Sequence, residues 1–172
     1  SLSTDELTAS DEGLGITLDD VLLDLAPGQR PQWFLGLYSP YGVELALDRY
    51  GVLDKLRERG YDHVRVDFDL DHGTGQRMRL RSDRGELLID LVARIERKHH
   101  PWRVLWIEWL MMQDPRKAPA RPLLPGQEAP GLGCSLDILG MLVMAAERLE
   151  LDGVAFNPSR FHVAWIARGK AE

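Results

Sequence analysis

Alternation of apolar and charged residues predicts one strand of this chain most directly. Apolar residues at positions 64, 66, 68 and 70 alternate with charged residues at 65, 67, 69 and 71. A period of two is typical of a strand with one buried and one solvated face. Residues 71–75 then have the composition of a hairpin turn, and Met78 and Leu80 lie on the returning strand.

Three other apolar segments also favour strands. Residues 87–95 fit either a strand or a helix, and the preceding hairpin favours the strand. Val104–Met112 is apolar except for Glu108, which predicts a central strand buried on both faces. The aromatic run 33–38 predicts a further buried strand, and residues 154–156 predict a short last one.

Helical spacing of apolar residues separates these strands. A helical pattern starts after Ser39, is interrupted at Gly51 and stops at Gly60. Residues 136–149 form a second amphipathic pattern, and weaker patterns predict helices at 18–25 and from Ser159. The order predicts an α+β fold with a mixed, mainly antiparallel sheet flanked by helices. Its last strand should be parallel, because it follows a crossover helix.

Composition narrows the class of protein. The chain has 172 residues, a net charge of −6 and one cysteine, so we expect one α+β domain over 17–172 after a mobile segment 1–16. The acidic balance disfavours a nucleic-acid partner. The absence of an apolar run of about 20 residues disfavours a membrane span. With no signal-like N-terminus and no intrachain disulfide, we expect a cytoplasmic protein.

A glycine loop before the second helical pattern suggests a ligand class. Residues 127–135 read Gln-Glu-Ala-Pro-Gly-Leu-Gly-Cys-Ser. They overlap the end of a stretch, 114–130, that holds five of the ten prolines. Glycine lets backbone amides approach a ligand, and a helix N-terminus favours phosphate. The alternative is a tight strand-to-helix turn without a ligand.

The element order and this loop resemble the GCN5-related N-acetyltransferase family. Gly131 and Gly133 match the two small positions of the family loop, although Gln127 lies one residue too early. The resemblance implies an acyl-CoA N-acyltransferase topology and acetyl-CoA as the bound substrate. The family normally adds two strands after the last helix, so we expect an incomplete sheet edge after Phe156 that favours strand sharing or a homodimer.

The resemblance also implies site residues. Amides around Leu132, Gly133, Cys134 and Ser135 would bind the pyrophosphate of acetyl-CoA, with Arg121, Arg116 or Lys117 on the outer phosphate. Glu108 would be the general base, because an apolar strand should raise its pKa, and His162 a second acid or base. The alternatives are an edge-facing or ion-paired Glu108 and a packed or partly exposed surface His162. The resemblance implies a small-molecule or protein amine as the acceptor, held in a pocket built by variable loops rather than by a motif.

Other chemistry fits the sequence less well. Cys134 at a helix N-terminus could be a nucleophile, but a small buried residue at a tight turn explains it better. We expect no metal, because Asp67, Asp69 and Asp71 lack the glycine and glutamate of a calcium loop, and the pair 99–100 lacks zinc spacing. The rival hypothesis is a non-catalytic module for ligand sensing or protein contact, with residues such as Trp109 and Trp165 at an interface.

Overall fold

A computed structural model describes residues 33–97, 101–123 and 127–156. All of them lie in the second of two units along the chain, which begins at Gln32. The described helices are α1 (Pro40–Arg49), α2 (Val52–Arg57) and α3 (Ser135–Arg148). The described strands are β1 (Val64–Asp69), β2 (Gln76–Ser82), β3 (Leu87–Glu96), β4 (Val104–Met112) and β5 (Gly153–Phe156).

The strands form one mixed sheet in the order β1-β2-β3-β4-β5. Strands β1 to β4 pair antiparallel, whereas β5 pairs parallel to β4. The last described pair of that parallel ladder is Ile107 with Phe156, and β4 continues from there to Met112. The α+β class, the mixed sheet and the parallel last strand are therefore confirmed.

The core lies between the helices and one face of the sheet. Helix α1 contacts α2, α3 and β1, and α3 contacts β4 and β5. Leu47, Val52 and Leu56 from the first two helices are buried with Leu80 and Ile89 of the sheet. The Gly51 interruption and the Gly60 stop are confirmed, since both glycines adopt positive φ angles of 71° and 81°. Among the described residues, no helix is long and apolar enough to cross a membrane.

Two strand predictions were wrong in part. Residues 33–38 form a tight turn rather than a strand: the Phe34 amide donates to the Tyr38 carbonyl, and Leu35 and Gly36 have positive φ angles that reverse the chain. Strand β4 is buried on one face only. Leu105 and Ile107 are buried in the core beneath the described helices, whereas Trp106 and Glu108, on the opposite face of the sheet, are half-buried. The helices predicted at 18–25 and from Ser159, the segment 1–16 and His162 lie outside the described residues.

Candidate functional site

The glycine loop lies beside the end of β4. The Asp114 amide donates a hydrogen bond of 2.7 Å to the Pro130 carbonyl, which brings together the two ends of the proline-rich segment. A Cβ built on Gly131 would lie 3.9 Å from the Met112 carbonyl oxygen. The loop therefore passes alongside the last residue of the strand before it reaches α3.

Alternate side chains fix this loop to the core. Leu132 and Cys134 are buried, whereas Gly131, Gly133 and Ser135 are exposed. Gly133 has a φ angle of 69°, which glycine adopts without steric cost, and the chain then enters α3. The N-cap Cys134 makes no side-chain cap hydrogen bond. The first-turn amides of α3 thus meet the general condition for anion binding at a helix N-terminus.

Two cations from α2 and the turn after it flank the loop. A Cβ on Gly133 would lie 3.1 Å from Nη2 of Arg59. The same guanidinium donates from Nη1 to the Lys55 carbonyl at 2.7 Å. Lys55 Nζ lies 2.5 Å from Oδ2 of Asp137 in the first turn of α3. Arg59 therefore places a cation directly beside the exposed glycine backbone.

A buried carboxylate links Arg59 to the end of β4. Asp114 Oδ2 lies 3.7 Å from Nε of Arg59, and Oδ1 accepts a 2.7 Å hydrogen bond from the Tyr61 hydroxyl. Burial and the hydrogen bond to Asp114 raise the pKa of Tyr61 to about 12. Tyr61 therefore remains protonated, and remains a donor to Asp114, at neutral pH.

Arg116, one of the cations expected to reach a phosphate, is already engaged elsewhere. Its Nε and Nη2 atoms donate to Glu86, with a shortest distance of 2.7 Å, and Nη1 donates to the Gly60 carbonyl. Its guanidinium carbon lies 4.3 Å from the centre of the Tyr61 ring. Hydrogen bonds from Arg116 and then Ser82 lower the pKa of Glu86 to about 2. Lys117 and Arg121 are exposed.

Glu108 lies in polar surroundings rather than in the apolar ones expected from its strand. Its Oε2 atom accepts hydrogen bonds from Nη1 of Arg94 at 2.8 Å and from Nε1 of Trp106 at 3.0 Å. The hydrogen bond to Glu108 raises the pKa of Arg94. The ion-paired alternative is thus the arrangement that the structure has.

The thiol of Cys134 does not have the surroundings of a nucleophile. The side chain is buried, and burial raises its pKa above the ordinary value. A thiol is nucleophilic as the thiolate, so the small buried residue is the better description. Among the described residues, no group of three or more histidine, cysteine, aspartate or glutamate side chains could hold a metal ion.

Comparison with models of known protein families and with curated protein sequences found no match. Sequence reasoning identified the glycines but missed Arg59, Lys55, Tyr61 and Asp114. The only signal for Lys55, Arg59 and Tyr61 was the dense charge of α2 and the turn after it, which looks like an ordinary solvated helix end, and Asp114 had no such signal.

Proposed function

We propose that this chain binds acetyl-CoA at the glycine loop and transfers the acetyl group to an amine. The observation that carries the proposal is the Arg59 guanidinium against Gly133, at the start of α3 and beside the end of β4. Exposed glycine backbone, first-turn amides and a cation are the groups that a pyrophosphate requires. Acetyl-CoA is the ligand class that the resemblance of the element order favours.

The end of β4 lies where the pantetheine arm of acetyl-CoA would extend from the loop. Gly131 lies next to the Met112 carbonyl, so a pyrophosphate held at residues 131–135 would place the attached arm near the end of β4. The pantetheine arm of coenzyme A carries amide groups, which pair readily with strand backbone. Glu108 lies on the same strand, toward the pair Ile107–Phe156. The thioester would then reach the region of Glu108.

In the proposed reaction, the amine nitrogen attacks the acetyl carbonyl carbon. The new C–N bond forms, the C–S bond breaks, and the sulfur leaves as a thiolate that takes up the proton lost by the acylated nitrogen. Glu108 attracts the ammonium form of the acceptor and accepts its proton, directly or through water. His162 and Arg121 remain predictions for a second acid or base and for the outer phosphate of coenzyme A.

Calorimetric titration with acetyl-CoA tests the proposal. The comparison uses the unmodified protein, the double variant Gly131→Asp/Gly133→Asp and the control Gly73→Asp. Gly73 is exposed in the β1–β2 turn with no atom within 4 Å of its Cβ position, so its variant adds negative charge away from the loop. We expect loss of binding in the double variant alone. Absence of binding by the unmodified protein would overturn the proposal.

A second candidate function, a non-catalytic sensor of acyl-CoA, is favoured by the Glu108 ion pair. A carboxylate paired with Arg94 is a weaker base than one in apolar surroundings. The two functions differ in transfer rather than in binding. Incubation with acetyl-CoA and a panel of primary amines, followed by mass spectrometry, distinguishes them: an acetylated amine, lost in Glu108→Gln, supports the enzyme, whereas binding without transfer supports the sensor.

A further inference from the structure

Asp114 is a buried residue that contacts both Arg59 and the start of the glycine loop. Its side chain is only 4% exposed. Its carboxylate faces Nε of Arg59 and accepts from the Tyr61 hydroxyl, and Oδ1 also accepts from the Arg116 amide at 3.3 Å. Its own amide donates to Pro130 at the start of the glycine segment. Asp114 therefore joins the turn after α2, the end of β4 and the glycine loop.

These contacts restrict the orientation of the Arg59 guanidinium. A carboxylate removed from water requires a cation and hydrogen-bond donors, so Asp114 has one preferred position. Arg59 is then held at two atoms, Nε facing Asp114 and Nη1 on the Lys55 carbonyl. The third nitrogen, Nη2, is the one closest to Gly133. Because the guanidinium is planar, the hydrogen bond at Nη1 and the ion pair at Nε together favour this orientation of Nη2.

We propose that Asp114 is a positioning residue that holds Arg59 toward the anion at the glycine loop, and that Tyr61 fixes Asp114 in turn. The inference rests on the proposed function, since it takes the anion to be the pyrophosphate of acetyl-CoA. It goes beyond that function by assigning roles to two residues outside the loop, Asp114 and Tyr61. It also predicts that Asp114 affects ligand affinity only through Arg59.

A double-mutant cycle on acetyl-CoA affinity tests this dependence. Its variants are Asp114→Asn, which keeps the side-chain shape, Arg59→Gln, and the double variant. We expect Asp114→Asn to weaken binding about tenfold, because the ion pair that orients Arg59 is lost, and Arg59→Gln about thirtyfold, because the cation beside the anion is lost. The double variant should bind about as weakly as Arg59→Gln alone. A residue that merely supports the fold would instead give additive losses, on the order of 300-fold.

Two further variants keep the result interpretable. Asp67→Asn makes the same chemical change on the sheet face, where Asp67 pairs with Arg79, and should leave affinity unchanged. Tyr61→Phe removes only the hydroxyl, and we expect about threefold weaker binding that also disappears in the Arg59→Gln background. This second cycle decides the matter if Asp114→Asn does not fold.

The outcomes separate the two proposals. If the unmodified protein does not bind acetyl-CoA, the proposed function and this inference are both overturned. If it binds but Asp114→Asn and Tyr61→Phe bind equally well, only the positioning role is overturned. Additive losses in both cycles also overturn it, because they show that Asp114 does not act through Arg59.

Discussion

Two charged regions of this protein are built in different ways. On the sheet face away from the helices, Asp67 of β1 lies 2.8 Å from Arg79 of β2, and these two residues are direct partners in the strand register. At the end of β4, Asp114 takes its partners from Arg59 and Tyr61, which come from the turn after α2. Neighbouring strands thus supply the first pair, and the tertiary fold supplies the second cluster.

The two regions also differ in burial, and this decides what each carboxylate contributes. The Asp67 side chain is 32% exposed, whereas that of Asp114 is 4% exposed. Water can solvate both charges of the Asp67–Arg79 pair when the pair is broken, so breaking it costs little free energy. Water does not reach the buried Asp114 cluster in the same way, so loss of one partner there leaves buried polar groups without a hydrogen bond. Paired charges on a strand face are therefore weak evidence for a site, and the buried cluster is stronger evidence.

The largest expected effect on stability is the difference between two separate variants, Asp114→Ala and Asp67→Ala. Asp114→Ala leaves the buried Tyr61 hydroxyl without its acceptor and Arg59 without its facing carboxylate, so we expect a loss of about 3 kcal/mol in the free energy of unfolding. Asp67→Ala should cost at most about 1 kcal/mol. Urea denaturation of both variants measures the difference. Equal losses would show that burial does not distinguish the two regions.

A smaller effect is expected from the two glycines of the loop. Gly133→Ala forces a side chain into a φ angle of 69° and places its Cβ 3.1 Å from Arg59, so we expect a loss of about 1–2 kcal/mol. Gly131→Ala meets only the Met112 carbonyl at 3.9 Å and should cost less than about 0.5 kcal/mol. Thermal unfolding of the matched pair checks this order. If Gly131→Ala were the more damaging change, the loop would not have the backbone described above.

Local patterns predicted the sheet because burial of one sheet face dictates alternation. Residues 64–70 show this directly, and the hairpin that follows was predicted from its turn residues. The run 33–38 was misassigned because an apolar segment can be buried as a turn as well as a strand. Phe34 stacks on Phe68 at 5.5 Å from within that turn. Hydrophobicity indicates burial, whereas the backbone path depends on neighbouring segments.

The candidate site was predictable only where its residues are adjacent in sequence. Gly131 and Gly133 stand together before a helix, so their pattern can be recognised. Arg59 and Asp114 are far apart in the chain, and nothing local distinguishes Arg59 from the other cations after α2. The same limit explains Arg116, which looked available for a phosphate but lies on Glu86 and the Tyr61 ring.

The smallest expected effect is a pH-dependent change in stability from the ion pair between Arg116 and Glu86, beside the buried cluster. Hydrogen bonds from Arg116 and Ser82 lower the pKa of Glu86 from 4.5 to about 2. A carboxylate with a lowered pKa stabilises the fold above pH 4.5, and its contribution disappears as the pH falls toward 2. The melting temperature of Glu86→Gln should therefore lie below that of the unmodified protein at neutral pH and converge with it in that acid range.

Glu147→Gln, on an exposed position of α3, controls for the lost charge. A difference that stays constant from pH 7 to about 2 would mean that the Arg116 contact does not depend on the charge of Glu86.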